Sequence, residues 1–555
     1  MREIDRLTTE RYGVASIELM ENAASATAHA VTQLLADRSA NRILVLCGKG
    51  NNGGDGAAAA RLLAHAGAHV DVVLVGKVED TKGDARTNFE RLRAWNEERS
   101  VRAARESSSP LDTIGFFECD SEKAWAQLRG SVLESRHDVV VDALFGTGLT
   151  RPVEGLQREA IRYMRGLREL ENSASVQPCR IISIDVPSGL NADSNDFDGD
   201  AVAADTTVTM TAPKVANVLS PAAALNGRLI VADLGSPSDL IEQTGTDLFL
   251  IEETDARRWL IQTRYTPDSY KNSHGHALIV AGSRGFTGAA ALCANAAMRA
   301  GAGLVTVATP ASAQPLVAAQ VMPEVMTTSL AETDRGAVSD EAFDFFSKFS
   351  ARADVVAIGP GLSSEDERTR AFVTRAVEQR NTPVVIDADG LNCLAPWPVE
   401  LRGSQEFPIV LTPHPGEMLR LIGSTDKSLL KDRVAVAREF AVRHEIILVL
   451  KGSRSLIAAP DSRVFVNPTG NAGLGTAGSG DTLTGIITGF LAQAGGTLGG
   501  DANALDAVVA ALFIGGMAGD FAARKLGMRA MTASDIREQL SEVFLSLDQS
   551  GELPV

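Results

Sequence analysis

Two glycine-rich turns constrain this chain more than any other feature. The first, Gly50-Asn51-Asn52-Gly53-Gly54-Asp55-Gly56, follows a short apolar run at residues 43–47. The second, Gly473-Leu474-Gly475-Thr476-Ala477-Gly478-Ser479-Gly480-Asp481, opens a long apolar run that reads as a helix. A glycine-rich turn at the start of a helix presents unpaired N–H groups to an anion. The two lie more than four hundred residues apart, too far for one ordinary domain. The chain therefore reads as two phosphate-handling modules joined head to tail.

The apolar pattern gives the fold class. Short runs at 43–47, 70–75, 138–142, 181–185, 206–210 and 229–231 read as buried strands separated by helix-like segments. A second series at 277–281, 304–308, 355–358, 384–387, 409–411 and 446–450 repeats the rhythm. Strand, loop and helix in alternation build parallel sheets covered by helices. The expectation is α/β, two three-layer α/β/α domains, over 1–240 and 261–550 with a linker at 241–260. The charge-rich stretch 79–135, with Ser107-Ser108-Ser109-Pro110 inside it, reads as a surface insertion and a helix.

Composition excludes several classes. With 53 Lys+Arg against 70 Asp+Glu the net charge is −17, and no dense basic run offers a face to nucleic acid. The five cysteines form no C-x-x-C pair, which argues against zinc and for a reducing compartment. The first residues lead into no signal-peptide core, and the longest apolar stretch, 277–310, is broken by Arg284 and Arg299. A cytoplasmic protein that binds no membrane is expected.

In the first module, Asp142 and Asp185 each close a predicted strand, and ligands in such sheets bind at the carboxyl ends of strands. Beside Asn52 and Ser188, such a carboxylate can ligate a cation through oxygen or act as a general acid/base. The plain alternative is a helix cap for each Asp and a tight turn for the Asn-Gly loop. In the second module, the 477–480 turn makes an anion hole suited to a moving phosphoryl group, and Asp481 stands next to it. The alternative is an Asp that merely stabilises a helix dipole. His414, in Thr412-Pro413-His414-Pro415-Gly416-Glu417, and Gly361, in Gly359-Pro360-Gly361, also follow predicted strands, as do Asp387-Ala388-Asp389 and Lys451-Gly452-Ser453-Arg454-Ser455. A lone histidine there is more often structural than catalytic.

Three strings, Gly48-Lys49-Gly50-Asn51-Asn52-Gly53-Gly54-Asp55-Gly56, Asp142-Ala143-Leu144-Phe145-Gly146-Thr147-Gly148 and Ile184-Asp185-Val186-Pro187-Ser188-Gly189, resemble the NAD(P)H-hydrate epimerase domain. Thr211-Ala212-Pro213-Lys214 extends the likeness, which covers roughly 1–240. The resemblance implies a Rossmann-like domain in which Asn51, Asn52, Gly53, Gly54 and Asp55, with Gly146, Thr147, Gly148, Leu149, Thr150, Arg151 and Pro152, bind the hydrated nicotinamide nucleotide. It also implies that Asn52, Asp142 and Ser188 ligate K+ and that Asp185 contacts substrate and moves the proton. Lys49 stands where the family commonly has proline.

Residues 260–545 resemble the ribokinase-like superfamily and, within it, the ADP/ATP-dependent NAD(P)H-hydrate dehydratase. The likeness rests on Thr412-Pro413-His414, Gly416-Glu417, Gly470-Asn471 with Gly473, and Ala281-Gly282-Ser283 followed by Thr287-Gly288-Ala289. It implies that Lys451, Gly452, Ser453, Arg454 and Ser455, with Asn471, Ala472, Gly473, Leu474, Gly475, Thr476, Ala477, Gly478, Ser479 and Gly480, contact the adenine nucleotide. Gly361 and His414 would contact the hydrate, and Asp481 would be the base. Mg2+ and ADP or ATP are expected, with NADH and NADPH hydrates as substrates and a homo-oligomer as the assembly. The rivals are a ribokinase-like vitamin-precursor kinase with an accessory domain, and a nucleotide-sensing scaffold without turnover.

Overall fold

A computed structural model describes residues 1–35, 42–106, 114–169, 178–243, 245–498 and 503–548. The serine-rich stretch at 107–110 lies outside the described residues. The chain divides into two compact units, Met1–Thr246 and Asp247–Val555.

The first unit is built on seven parallel strands: β1 (Arg42–Cys47), β2 (His69–Leu74), β3 (Gly115–Glu118), β4 (Val139–Ala143), β5 (Arg180–Ile184), β6 (Thr206–Met210) and β7 (Arg228–Ala232). Their order is β3-β2-β1-β4-β5-β6-β7. Side chains alternate across the sheet with a period of two. Ile43, Val45 and Cys47 pack with Leu19, Val31, Leu63 and Phe89 on one face, while Leu44 and Leu46 pack with Trp125, Ile161 and Met164 on the other. Burial on both faces is what makes these strands continuous apolar runs, and the result is the expected three layers. The strand order reverses direction between β1 and β4, so the loops leaving those two strands diverge and open a crevice there. The expected insertion at 79–135 instead carries a 24-residue helix, Gly83–Glu106, then the edge strand β3 and a helix, Glu122–Arg129. Phe116 and Phe117 of β3 pack against opposite faces of the sheet, which incorporates this segment into the fold.

The second unit carries ten strands: β8 (Leu248–Leu250), β9 (His276–Val280), β10 (Leu304–Pro310), β11 (Met326–Leu330), β12 (Val355–Ile358), β13 (Val384–Ile386), β14 (Ile409–Leu411), β15 (Ile447–Leu450), β16 (Leu456–Ala458) and β17 (Val464–Val466). They lie in the order β11-β10-β9-β12-β13-β14-β15-β16-β17-β8. The first seven in that order are parallel; β16 is antiparallel to β15 and to β17. Here the switch falls between β9 and β12. Residues 248–260 of the expected linker belong to elements of the second unit. Leu248–Leu250 pairs with β17, and the helix Glu253–Gln262 buries Ala256 and Trp259 in the core of the second unit. The helix Ala504–Leu526 is long and apolar enough to cross a membrane, but 72% of its most apolar window is buried within the protein.

Candidate active sites

In the first unit a cavity of about 790 Å3 opens at the carboxyl ends of the strands. Asn51, Asn52, Asp55, Gly146, Thr147, Gly148 and Asp185 line it together, from segments that the sequence separates by up to 134 residues. The glycine loop is itself the first turn of a helix, Asn51–His65. Gly53 and Gly54 do not line the cavity; they are buried packing positions. A Cβ on Gly53 would lie 1.8 Å from the Gly48 carbonyl oxygen, and one on Gly54 would lie 2.7 Å from Ala85 Cα. Leu149 turns into the core, and Thr150, Arg151 and Pro152 are exposed outside the cavity lining.

Asp142 is fully buried and accepts four hydrogen bonds. Ser188 Oγ donates at 2.6 Å, Ser188 N and Ser183 Oγ at 2.8 Å, and Leu144 N at 3.4 Å. Burial pushes its carboxyl up, against these donors. Neither Asp142 nor Asp185 caps a helix. Phe145 N–H donates to Ser188 Oγ at 3.0 Å. The next residue, Gly146, is so closely packed that a Cβ there would lie 2.8 Å from Asp185 Oδ2 and 3.0 Å from Asn52 Oδ1. Asn52 Nδ2 is buried without a partner. Amide, hydroxyl and carboxylate oxygens thus converge around Phe145 and Gly146, a donor set that suits a hard cation.

Asp185 faces Lys214, which sequence reasoning did not select. Their ion pair is 2.6 Å long, and both residues are buried. Asp55 is pushed well above the usual carboxylate range by burial and then by the charges of Asp185 and Asp5. Asp5 lines the cavity from the N-terminal helix Arg2–Tyr12, and no sequence pattern marks it.

The second unit holds a separate cavity, also about 790 Å3. Of the residues expected to contact nucleotide, Lys451–Ser455, Asn471, Ala472, Leu474, Gly475, Thr476, Ser479 and Gly480 line it, with His414. Gly473, Ala477 and Gly478 do not. Asn467, Thr469 and Leu483 also line it and were not anticipated. Helix Ser479–Leu498 starts at its wall and brings Asp481 into the first helical turn, next to the lining residue Gly480 but not itself among the lining residues. Two braces hold the loops. Arg433 donates to the carbonyls of Ser453 at 2.9 Å, Leu450 at 3.1 Å and Lys451 at 3.3 Å. Asp520 accepts from Gly470 N at 2.9 Å and Asn471 Nδ2 at 2.8 Å.

Beneath the helix start lies a charge cluster. Lys451 Nζ is 2.7 Å from Asp387 Oδ1 and 4.0 Å from Glu417 Oε2, and Thr484 Oγ1 donates to Asp387 Oδ2 at 2.7 Å. Burial alone would raise the Asp387 carboxyl, but the Lys451 charge and these hydrogen bonds outweigh it and hold it low. Burial would likewise lower Lys451, and the Asp387 and Glu417 charges overcome that. Asp481 is different. Burial first, then the Asp387 charge, push its carboxyl up to about 6, and Lys451 offsets only part of this. A carboxylate with that affinity for protons is a usable base near neutral pH.

His414 is both a cavity residue and a cap. Its Nδ1 accepts from Gly416 N at 3.0 Å, and its own N–H donates to Glu417 Oε2 at 2.8 Å, which closes a capping box on helix Pro415–Ile422. Gly361 lies outside the cavity lining, in a left-handed turn (φ 62°) after β12. Ser283 Oγ donates to its carbonyl at 2.8 Å.

Comparison with known proteins places the two units separately. A family model described as YjeF-related protein N-terminus matches residues 16–216, and one described as NAD(P)H-hydrate dehydratase matches residues 277–542. A bifunctional NAD(P)H-hydrate repair enzyme Nnr from Moorella thermoacetica is 40% identical over 553 residues, 100% of this chain and 97% of that protein. The protein of the same name from Escherichia coli is 32% identical over 98% of this chain and 92% of its own length. An ADP/ATP-dependent NAD(P)H-hydrate dehydratase from Bacillus subtilis, co-crystallised with ATP and Mg2+, is 29% identical and covers 54% of this chain and 99% of its own, with a TM-score of 0.45. With relatives matched across their full length at this identity, the chain belongs to the family of bifunctional NAD(P)H-hydrate repair enzymes.

Proposed function

We propose that the first unit interconverts the R and S epimers of NADH or NADPH hydrate and that the second dehydrates the S form, consuming ADP or ATP, in the cytoplasm. The observation that carries the reading is a carboxylate with a raised proton affinity, Asp481, in the first turn of a helix whose first two residues, Ser479 and Gly480, line a cavity of small-molecule size, next to Asp481 but without it among the lining residues.

The chemistry follows from the substrate. Water adds to the dihydronicotinamide ring at the carbon next to nitrogen, so the hydrate is a hemiaminal. In the first unit, Asp185 removes the hydroxyl proton as the carbon–nitrogen bond opens and its electron pair passes to nitrogen, which takes up a proton. Rotation and reclosure on the other face, with the proton movements reversed, give the second epimer. In the second unit, Asp481 accepts the hydroxyl proton while the oxygen attacks the terminal phosphorus of the nucleotide, and the bond to the bridging oxygen breaks to release AMP from ADP or ADP from ATP. The amides of the first helical turn stabilise the charge on the moving phosphoryl group. Phosphate then leaves with the carbon–oxygen pair, the ring nitrogen supplies electrons, and loss of a proton from the adjacent carbon restores the double bond.

Asn52, Asp142 and Ser188 would hold K+, whose charge would favour negatively charged substrate beside the Gly146–Gly148 loop. Mg2+ would ride on the nucleotide phosphates and water, because the described residues contain no group of three metal-binding side chains. Asp387 and Glu417, which face Lys451, are the carboxylates able to steady it.

The test uses mixed R and S hydrate with ADP or ATP and follows the return of reduced-nicotinamide absorbance. Asp185→Asn should convert the S fraction and leave the R fraction to slow spontaneous epimerisation. Asp481→Asn should restore no absorbance yet still equilibrate the epimers. Full activity in both variants would overturn the reading, as would nucleotide consumption with pyridoxal or hydroxymethylpyrimidine but not with hydrate.

A further inference from the structure

Asp185 is held with unusual completeness. Its backbone is left-handed (φ 69°), a conformation that is strained for a non-glycine residue and persists only when surroundings enforce it. Asn217 enforces it by donating Nδ2 to the Asp185 carbonyl at 3.3 Å. Asn217 Oδ1 in turn accepts from Lys214 N at 2.8 Å and Thr209 Oγ1 at 3.2 Å. Lys214 Nζ completes the cage with contacts to Asp185 Oδ1 at 2.6 Å, Thr209 Oγ1 at 2.9 Å and the Met210 carbonyl at 2.8 Å. The Thr209 and Met210 contacts are hydrogen bonds and the Asp185 contact is an ion pair, so this buried ammonium is held against the Asp185 carboxylate where both line the cavity.

The two oxygens of Asp185 are thereby divided. Oδ1 is tied inward to Lys214. Oδ2 accepts from Thr147 N at 3.1 Å and lies against the closely packed Gly146, in the loop that lines the cavity. Resting on the epimerase reading above, we propose that Lys214 is a positioning residue for epimerisation: by fixing Oδ1 it aims Oδ2 of Asp185 at the hydroxyl of a hydrate lying on the Gly146–Gly148 loop. The other carboxylates facing Asp185 are Asp55, from helix Asn51–His65, and Asp5, from helix Arg2–Tyr12. With two acids so near, the ammonium also supplies the local counter-charge.

A purely structural ion pair predicts something else. Replacing a buried pair member by an apolar side chain changes stability, but kcat of the folded fraction stays the same. The experiment compares Lys214→Met and Lys214→Arg in the full chain, by following R-to-S conversion over a range of hydrate concentrations. The expected result for Lys214→Met is a fall in kcat of about 100-fold, the scale of a disabled general base, with KM for the hydrate changed less than about 3-fold. Lys214→Arg restores the cation and should recover about 10-fold of that loss. Unchanged kcat in Lys214→Met, or a loss confined to KM, overturns the proposal. If that variant does not fold, Thr209→Val replaces it. This change removes the hydroxyl shared by Lys214 and Asn217, with an expected kcat loss of about 5-fold, and no loss overturns the proposal equally. Wild-type protein that cannot epimerise sinks the epimerase reading itself; active wild type with a fully active Lys214→Met sinks only the role of Lys214.

Discussion

Replacing Asp481 by asparagine should cost activity and add stability, and the structure sets both magnitudes. Burial and the Asp387 charge push the Asp481 carboxyl up to about 6, against an ordinary value of 3.8. The difference of roughly 2 units corresponds to about 3 kcal/mol at about 1.4 kcal/mol per unit. The direction follows from proton counts. Between pH 4 and pH 6 the folded state holds a proton that the unfolded state has released, so stability falls as pH rises through that window. Above pH 6 the full penalty applies; below pH 4 it vanishes. Asparagine keeps the shape and has no charge to bury, so the second unit should gain up to about 3 kcal/mol at pH 8 and nothing near pH 4. Dehydration should fall about 10²- to 10⁴-fold, the usual contribution of a positioned base. In the wild type, the dehydration rate should drop on the acid side of about pH 6. Chemical unfolding of both proteins at pH 4 and pH 8, with dehydration rates across the same range, measures all of this. An Asp481→Asn variant less stable than wild type at pH 8 would refute the reasoning, because it would mean that Asp481 is anchored by favourable contacts and is not a strained base.

Two further substitutions probe the surroundings of each site. Gly146→Ala puts a Cβ 2.8 Å from Asp185 Oδ2 and 3.0 Å from Asn52 Oδ1. The displacement should lower epimerase kcat by about 10-fold or more, since misplacement by an ångström can cost about 10²-fold, while S-hydrate dehydration is unchanged. Arg433→Ala strips donors from three carbonyls of the 450–453 loop. At about 1 kcal/mol for each net hydrogen bond, the KM for nucleotide should rise about 10-fold or more with the epimerase rate intact, and an unchanged KM would show that the loop supports itself.

The fold was legible where burial leaves a chemical trace. β1, β4, β9 and β12 lie inside their sheets, so both faces demand apolar side chains and the runs of Val, Ile and Leu stand out. β11, Met-Thr-Thr-Ser-Leu, is an edge strand with one neighbour; half-exposed Thr327 and Thr328 erase the signal. β3 is also an edge, four residues set in charged sequence. Strand order was not legible at all. The sequence gives no reason for β1 to lie next to β4, yet that adjacency creates the crevice in which Asn52, Gly146 and Asp185 meet. Of the predicted glycines, Gly146, Gly148, Gly452, Gly475 and Gly480 line the cavities, Gly53 and Gly54 serve helix packing at a buried backbone, and Gly361, Gly473 and Gly478 lie outside the lining. Lys214 enters the sequence reading only as the end of the string Thr211-Ala212-Pro213-Lys214 and with no role, because a lysine is normally a solvated surface residue and only three-dimensional contact reveals that this one is enclosed.

The two units solve the same electrostatic problem with opposite choices about which carboxylate to leave alone. Each closes a strand with an aspartate and ties it to a lysine that follows a later strand of the same sheet: Asp185 to Lys214 at 2.6 Å, and Asp387 to Lys451 at 2.7 Å. Burying either charge singly is costly, and the lysine offsets that cost at each of these two strand ends. In the first unit the paired aspartate is itself the proposed base, and its lysine fixes one of its two oxygens. In the second the pair sits below the helix start, and the base is Asp481, whose largest perturbation is burial with Asp387 as a repelling neighbour. The difference suits the two reactions. Opening a hemiaminal needs a fixed carboxylate that takes and returns one proton. Phosphoryl transfer needs a cation, Lys451, near the phosphates and a separate base with a raised proton affinity for the hydroxyl. Exchanging the arrangements should therefore fail in both directions: Lys451→Met leaves Asp387 buried without its partner and should abolish dehydration, even though Asp481, the proposed base, is untouched.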